Sequence, residues 1–532
     1  MSDKPRLVLA DALAPEGVEI LEADNRLQVE DYSDRSRTEL EKGLVGAMGL
    51  IVRSGTQADA DLIEAGDSLR VIGRAGVGLD NIDVEAATRR GIAVMNAPAG
   101  NTVSTAELAF ALLLAAARRI PAADRSMRAG QWDRKTYRGA QLAGKILGVI
   151  GAGRIGVEVI RRARAFSMKV IVADPYLTHE RACDLDVELV ELDDMLPRVD
   201  FLTLHVPLNP ETEALMNEER IARLRPHAIL VNASRGGIVD EEALARALVE
   251  GRLSGAAMDV YAVEPLPAEH PLRDAPNLVL TPHLGAATHD AQREVAIEIA
   301  AAVRAALVDD DYGAAVNMPP YLPRDHERLR PVLDLAERLG LVLGEVTEAG
   351  VSEVSVRYGG EVPRGLRLIS SAVLIGLWRV RLDTSLNLIN ALPLARERGI
   401  AVSRSRMGEV TGYRGILEIS VRAGEEVHVV TGGIESDGDL RLLRIDGYHV
   451  EVEPRGHLLI FKNRDEPGVV GDVGTRLGAA GVNIAEFHQA RDLDTGESLA
   501  VLSLDEALTS AVLLDLRAIP AILYARGIRL DA

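Results

Sequence analysis

The run ILGVIGAGRIGVEVIRRARAFSMKVIVADPY, residues 146–176, reads as strand, glycine turn, helix and second strand. ILGVI is continuously apolar, as a parallel strand buried on both faces should be. Gly151, Gly153 and Gly156 follow it at GxGxxG spacing. The first permits a tight turn, the second lets the backbone approach a pyrophosphate, and the third lets the helix pack close to the strand. Ile155, Val159, Ile160 and Ala163 form an apolar stripe at helical spacing. The helix N-terminus offers free N–H groups and a dipole that favour an anion. The second strand ends at Asp174, placed to accept both hydroxyls of an adenosine ribose and to repel a 2′-phosphate. The stretch therefore predicts a dinucleotide-binding βαβ unit that takes NAD rather than NADP.

The same alternation extends to both sides. RLVLAD, GLIVRS, LRVIGRAG and GIAVMNAP precede it, and FLTLHVP, AILVNAS, LSGAAMDVY and LVLTPH follow it, each separated by helical patterns. This predicts an α/β protein with two doubly wound, Rossmann-like units. Pro98 and Gly100 mark the crossing between them. A long helix follows in TVSTAELAFALLLAAARR, with Ser104 or Thr105 expected as its cap. A second helix, THDAQREVAIEIAAAVRAALV, is expected to return to the first unit. The substrate unit then comprises residues 1–97 with 287–318, and the NAD unit residues 98–286. The proline-rich NMPPYLPRDHERLRP reads as a linker. It opens an intervening α/β domain, 319–454, whose chemical groups fall in no recognisable order. Residues 455–532 read strand, helix, strand, strand, helix, strand, the order of a ferredoxin-like domain.

A formal charge of −20 argues against a nucleic-acid partner, which needs a basic face. The only cysteine, Cys183, excludes a disulfide framework and any multi-cysteine metal site, and no metal is expected. The N-terminus lacks a signal-peptide pattern, and no apolar run approaches the roughly 20 residues of a membrane span. A soluble cytoplasmic protein with no membrane partner is expected. The negative charge poses a question. Any anionic ligand must be held by a few arginines that locally reverse the overall field.

Three residues follow strands and so converge on the crevice at the strands' carboxyl ends. Arg235 follows AILVNAS, Glu264 lies near the end of the run in DVYAVEP, and His283 closes LVLTPH. Beside a nicotinamide, such a histidine takes the proton of a hydroxyl as hydride leaves its carbon. Glu264 orients the imidazole and favours its protonated form. Arg235 grips a carboxylate or polarises a carbonyl. Taken singly, each has a bland reading as a cap, a surface ion pair or a turn residue; it is their joint occurrence after a cofactor turn that is informative.

GVIGAGRIG, VNASRGGIVDEEAL, DVYAVEP and LTPHLGAAT together resemble the NAD-dependent D-2-hydroxyacid dehydrogenases, and IGRAGVGLDNIDVEAATRRGIAVMNAPAGNTVSTAE is similar to that family's substrate loop and interdomain helix. The resemblance implies that Arg235, Glu264 and His283 are catalytic and that backbone at Val77 and Gly78 holds the substrate carboxylate. It implies that Asp259 meets the nicotinamide carboxamide and that Arg154 and Ile155 meet the pyrophosphate. Ala233, Ser234, His283, Gly285 and Ala286 complete the implied cofactor contacts.

Arg53 and Arg74 follow strands of the substrate unit, and Arg134 lies in QWDRKTYRG. A dianionic phosphate on the substrate would answer the charge question, although all three also read as ordinary surface arginines. Over nearly its whole length the chain resembles the family's long, phosphoglycerate-oxidising branch. That implies oxidation of 3-phosphoglycerate to 3-phosphooxypyruvate, with Arg53 and Arg74 on the substrate phosphate and Arg134 reaching in from a neighbouring subunit of a homodimer or homotetramer. NRDEPGVVGDVGTRLGAAGVNIAEF resembles the opening of an ACT domain, which implies a serine effector on Asp465 and Asn483; a ligand-free dimerisation module is the other reading. For the whole chain, a dehydrogenase of an unphosphorylated 2-hydroxy acid and a non-catalytic NAD-sensing scaffold stay open at this level.

Overall fold

The computed structural model describes residues 4–319, 326–347, 350–360, 365–379, 386–408 and 411–530, with side chains of the helix starting at His326 described from residue 328 onward. The first sheet is wholly parallel, in the spatial order Gln28–Asp31, Arg6–Leu9, Gly49–Val52, Val71–Arg74, Ala93–Asn96. The second has seven parallel strands in the order Leu278–Leu280, Gly255–Met258, Ile229–Asn232, Phe201–Leu204, Ile146–Ile150, Lys169–Ala173, Glu188–Leu189. The chain winds outward in both directions from Ile146–Ile150, so the switch point falls beside the glycine turn, where such sheets bind ligands. Two strands were not foreseen, Gln28–Asp31 and Glu188–Leu189. Both are polar edge strands, held by pairing on one side rather than by an apolar run.

The helix Thr102–Ala117 begins at Asn101, which makes no side-chain cap. The expected caps are used elsewhere. Ser104 Oγ lies 2.8 Å from Thr288 Oγ1, and Thr105 Oγ1 donates to the Gly285 carbonyl at 3.0 Å. Both side chains thus tie the crossing helix to the loop after His283. The return helix forms as expected over His289–Val308, capped by Thr288. Its Val295, Ile299, Val303 and Leu307 pack with Leu7, Leu9, Ile51 and Val71 of the first sheet.

The proline run departs from the linker reading at both ends. Asn317 accepts from Val94 N and donates to the Ile92 carbonyl, both at 2.9 Å, because its amide satisfies backbone groups at the edge of the first sheet. The helix His326–Val346 then already contains Pro331. Pro320 and Pro323 lie outside the described residues. The next domain is a six-stranded sheet, Ala401–Arg406, Val351–Gly360, Gly415–Ala423, Glu426–Ile434, Leu440–Ile445, Tyr448–Val452, with its first pair parallel and the rest antiparallel. Leu335, Leu339, Val342 and Val346 of His326–Val346 and Leu368, Val373 and Leu377 of Leu366–Trp378 fill its core. Asn387 Nδ2 donates to the Gly91 carbonyl at 2.6 Å, joining this domain directly to the substrate unit.

The last sheet runs Ile484–Asp492, Glu497–Leu504, His457–Arg464, Ile522–Arg529 with antiparallel neighbours, packed against the helices Val469–Ala479 and Ser510–Arg517. This is the ferredoxin-like arrangement that the element order predicts. Cys183 is free and exposed. Among the described residues no helix is long and apolar enough to cross a membrane.

Candidate active site

At the cofactor turn, Gly151 has φ +88°, a conformation that a side chain would strain, and an added Cβ would strike the His205 carbonyl. At Gly156 a Cβ would collide with the Gly151 carbonyl. Around Gly153 there is open space, so the backbone there is bare toward an incoming ligand. Gly153 precedes the helix Arg154–Ala165 without a side-chain cap, leaving the first-turn N–H groups for an anion. The Asp174 carboxylate accepts from Ala152 N at 2.7 Å and Tyr176 N at 2.8 Å, which fixes it at the lip of the turn. Open backbone, an unused helix end and a positioned carboxylate fit a dinucleotide.

A cavity of about 580 Å³ opens between the two units. On one wall His283 Nδ1 lies 2.7 Å from Glu264 Oε2, while Glu264 Oε1 accepts from Tyr261 N at 3.0 Å. The carboxylate is thereby aimed from behind and the Nε2 edge is left for substrate. His283 itself has φ +53°. That left-handed conformation costs roughly 1–2 kcal/mol in a residue with a Cβ. Its neighbours over-determine it. The His283 amide donates to the Asp259 carbonyl at 2.9 Å, and Leu284 N and Gly285 N donate to the Asp259 carboxylate at 2.7 and 3.0 Å. Tyr261 Oη bridges the Met258 and Thr281 carbonyls, closing the same loop.

Asp259 is fully buried, and burial pushes its carboxyl pKa up, against the hydrogen bonds of Thr281, Leu284 and Gly285 that pull it down. It lines the cavity, and the three bonds it accepts from Thr281, Leu284 and Gly285 hold the histidine loop.

The opposite wall is cationic. Arg53, Arg74 and Arg235 all line the cavity, with Val77 and Gly78 between them. Arg235 Nε donates to Asp80 Oδ2 at 3.2 Å, and a Cβ on Gly78 would collide with the Arg235 guanidinium. Arg74 Nε donates to Asn81 Oδ1 at 3.2 Å, and Asn81 Nδ2 in turn holds the Arg53 carbonyl. Burial lowers the Arg74 pKa, and the charges of Arg235 and Arg53 lower it further, against Asp80 and Asp11. A half-buried Arg74 whose charge is disfavoured by two neighbouring arginines is what an anionic ligand relieves.

Ile155, Ala233, Ser234, Gly285 and Ala286 also line the cavity, whereas Arg154 stands exposed at the start of its helix. Arg134 is not brought in. It sits on an exposed segment after the helix Ile120–Arg128, so within one chain it lies outside the cavity. Asp465 and Asn483 are not brought together either. The strands His457–Arg464 and Ile484–Asp492 both pair antiparallel with Glu497–Leu504 and so run parallel to each other. Asp465 follows one strand and Asn483 precedes the other, at opposite ends of the sheet and about 25 Å apart at 3.3 Å per residue. Each has local partners, Arg491 for Asp465 at 3.5 Å and Asp505 for Asn483 at 2.7 Å.

Sequence reasoning missed Asp80, Asn101, Gln292 and the segment His205–Pro207, all of which line the cavity. The last follows the strand Phe201–Leu204, so the strand-end rule used for Arg235 would have found it. His205 Nε2 meets Thr203 Oγ1 at 3.0 Å, its Nδ1 is buried without a partner, and burial pushes its pKa down to about 4.

Residues 110–285 match the model of the D-isomer specific 2-hydroxyacid dehydrogenase NAD binding domain, residues 328–446 that of the D-3-phosphoglycerate dehydrogenase intervening domain, and residues 457–521 that of the ACT domain. The chain is 40% identical over 529 residues to the D-3-phosphoglycerate dehydrogenase of Archaeoglobus fulgidus, covering 99% of this chain and 100% of that one. Identity to the Bacillus subtilis enzyme of that name is 36%, covering 99% of each. Among solved structures, the TT0316 protein of Thermus thermophilus is 37% identical with a TM-score of 0.54, covering 58% of this chain and 99% of its own. A glyoxylate reductase from Paecilomyes thermophila is 30% identical with the same TM-score, covering 59% of this chain and 99% of its own. The NAD-binding unit, the intervening domain and the ACT domain occur here in one chain with full-length identity to those enzymes, and the chain belongs to the long-form D-3-phosphoglycerate dehydrogenases of the D-isomer-specific 2-hydroxyacid dehydrogenase family.

Proposed function

We propose that this chain oxidises 3-phospho-D-glycerate to 3-phosphooxypyruvate with NAD, the first step of L-serine biosynthesis in the cytoplasm. One observation carries this: a single cavity holds the His283–Glu264 pair on one wall and Arg53, Arg74 and Arg235 on the other. Bound on the Gly151–Gly156 turn, NAD supplies the hydride acceptor. His283 Nε2 takes the hydroxyl proton, while Glu264 stabilises the imidazolium that forms. Arg235 exchanges its bond to Asp80 for the substrate carboxylate, which the backbone at Val77 and Gly78 also receives. Arg53 and Arg74 bind the phosphate. Arg134 contributes from a second copy in a dimer or tetramer; the exposed apolar side chains of Val103, Ile120, Met127 and Trp132 around that segment support such an interface. Serine is the effector read for the ACT domain. Because Asp465 and Asn483 stand at opposite ends of one sheet, an effector touching both needs two ACT domains side by side.

The test is NADH formation from 3-phosphoglycerate and from glycerate, in the wild type and in Arg53→Ala/Arg74→Ala. The wild type should prefer the phosphorylated substrate, and the double variant should raise its KM by about 100-fold or more, at one to a few kcal/mol per charge-assisted contact. An unchanged KM removes the phosphate assignment.

A further inference from the structure

Behind the His283–Glu264 pair stands a second imidazole and carboxylate. Glu241 opens the helix Glu241–Val249, whose N-terminus is already capped by Asp240, accepting from Ala243 N at 2.9 Å. The Glu241 side chain is therefore not needed as a cap, and it turns away from its own helix. Its Oε1 accepts from Ala262 N at 2.6 Å, 21 residues on, and its Oε2 lies 3.2 Å from His270 Nε2. His270 Nδ1 accepts from Leu272 N at 3.3 Å, so the remaining ring proton sits on Nε2, facing Glu241. The next residue, Glu242, shows the ordinary behaviour of a first-turn acid: it is exposed and pairs with Arg246 at 3.7 Å, one turn on.

The backbone of Tyr261 and Ala262 is where the two pairs meet. Glu264 Oε1 holds the Tyr261 amide and Glu241 Oε1 the Ala262 amide, so two successive N–H groups end on two different carboxylates. The arrangement is electrostatically costly. Glu241 is only 8% exposed. Burial raises its pKa first, and the charges of Glu264 and Asp240 raise it further, against the Ala262 amide and His270. Burial pushes the Tyr261 hydroxyl up to about 12, helped by the charges of Asp259, Glu241 and Glu264 around it. Complementing the helix dipole needs no such burial, as Glu242 shows. The segment after Arg235 rests on the same backbone, since a Cβ on Gly236 would collide with the Tyr261 carbonyl and the Ala262 amide. Whatever fixes Tyr261 and Ala262 therefore fixes the base of Arg235 and of Glu264 together.

We infer that Glu241 is a positioning residue for the reaction: by holding the Ala262 amide, and itself steadied by His270, it sets the turn that presents Glu264 to His283. This rests on the reading of His283 and Glu264 as the acid–base pair. Glu241 lies outside the cavity and acts only through the 2.7 Å contact of Glu264 with His283. A rotation of the Tyr261–Ala262 backbone lengthens that contact. The attraction that stabilises the imidazolium then falls, and His283 gives up its proton at lower pH. The charged groups facing the two pairs are Asp240, Asp259, Glu241 and Glu264 themselves, and the Tyr261 hydroxyl stays protonated throughout the working range.

The experiment follows kcat/KM for 3-phosphoglycerate oxidation against pH in the full chain, where the acid limb reports the proton acceptor. Glu264→Gln is the reference and should move that limb to lower pH by about one unit or more, the worth of an adjacent carboxylate. Glu241→Leu, of similar volume but without an acceptor, should move it the same way by about half a unit. It should also lower kcat by about tenfold while the KM for NAD stays within about twofold. His270→Asn keeps an oxygen for Leu272 N and drops the Glu241 contact. It should move the limb in the same direction by less, and it decides alone if Glu241→Leu does not fold. Glu242→Gln should change neither limb nor kcat. An unmoved limb in a folded Glu241→Leu or in His270→Asn, while Glu264→Gln moves it, overturns the proposal and leaves the acid–base pair standing; any fall in kcat is then merely structural. If Glu264→Gln itself leaves the limb in place, the pair is misassigned and the proposal falls with it.

Discussion

Arg53, Arg74 and Arg235 converge in the catalytic half beside Asp11 and Asp80, whereas Arg367, Arg396 and Arg404 converge in the intervening domain with no acid among the described residues. In the first cluster the arginines stand at the ends of parallel strands, and Asp80 and Asp11 moderate their repulsion. In the second the arginines come from a strand and two helices, and among the described residues no acid moderates them. The contrast separates two ways of gathering cations in an acidic protein. One sets acids beside them; the other brings them together without acids among the described residues. Their surroundings differ too, because the first cluster faces a histidine–carboxylate pair across the cavity.

The largest effect expected from breaking this contrast is at His283. His283→Asn should cut turnover by roughly a thousandfold or more, the scale of lost general acid–base catalysis, while NADH still binds by fluorescence titration. Turnover within tenfold of wild type would place the proton transfer elsewhere. His289, six residues on and exposed, should be replaceable by glutamine with turnover within about twofold, since nothing ties it to the pair.

A middle-sized effect concerns the cofactor. Asp174→Ala should weaken NAD by about tenfold, the worth of one charge-assisted bond, and narrow the preference over NADP in the ratio of kcat/KM values. An unaltered preference would mean that discrimination lies outside the Gly151–Asp174 unit.

The smallest effect contrasts the two halves by pH. His205, in the NAD unit, is held down to about 4 by burial. Its neutral form suits the folded state, so stability is kept above the ordinary imidazole value near 6.5 and lost as pH falls toward about 4. His428, in the intervening domain, is raised first by its hydrogen bond to Asp446, 2.9 Å away, and its contribution has the opposite sign. That contribution is present below the ordinary imidazole value and is lost as pH rises through the raised one. His428→Gln should therefore lower stability by about 0.5–1 kcal/mol at pH 5, with the gap closing by pH 9, whereas His205→Gln should reduce the acid sensitivity. Parallel pH responses of the two variants would contradict both environments. Denaturant melts at the two pH values read the difference.

Much of the catalytic half was legible beforehand because its rules are local. A glycine turn after an apolar strand, a carboxylate at the end of the next strand, and functional side chains at strand ends follow from backbone geometry alone, and Gly151, Asp174, Arg235, Glu264 and His283 all obey them. Gln28–Asp31 was missed because edge strands carry no apolar run. Ser104 and Thr105 were misread because a hydroxyl near a helix start caps it only when no better partner exists, and Gly285 and Thr288 are such partners. The Arg367–Arg396–Arg404 cluster had no signal along the chain at all.

By itself the sequence determined the class of fold and the dinucleotide turn, since strand periodicity and glycine spacing act over a few residues, and it singled out His283 and Glu264, which the fold brings within 2.7 Å of each other. Tertiary structure alone decided three other matters. It set the left-handed bend that aims His283, because that bend is held by Asp259, 24 residues upstream. It separated Asp465 from Asn483, because parallel strands joined by a helix begin at the same end of a sheet and the two residues stand at opposite strand ends. And it gathered arginines without acids, because which charges become neighbours depends on how distant elements pack, a long-range outcome that residue spacing does not encode.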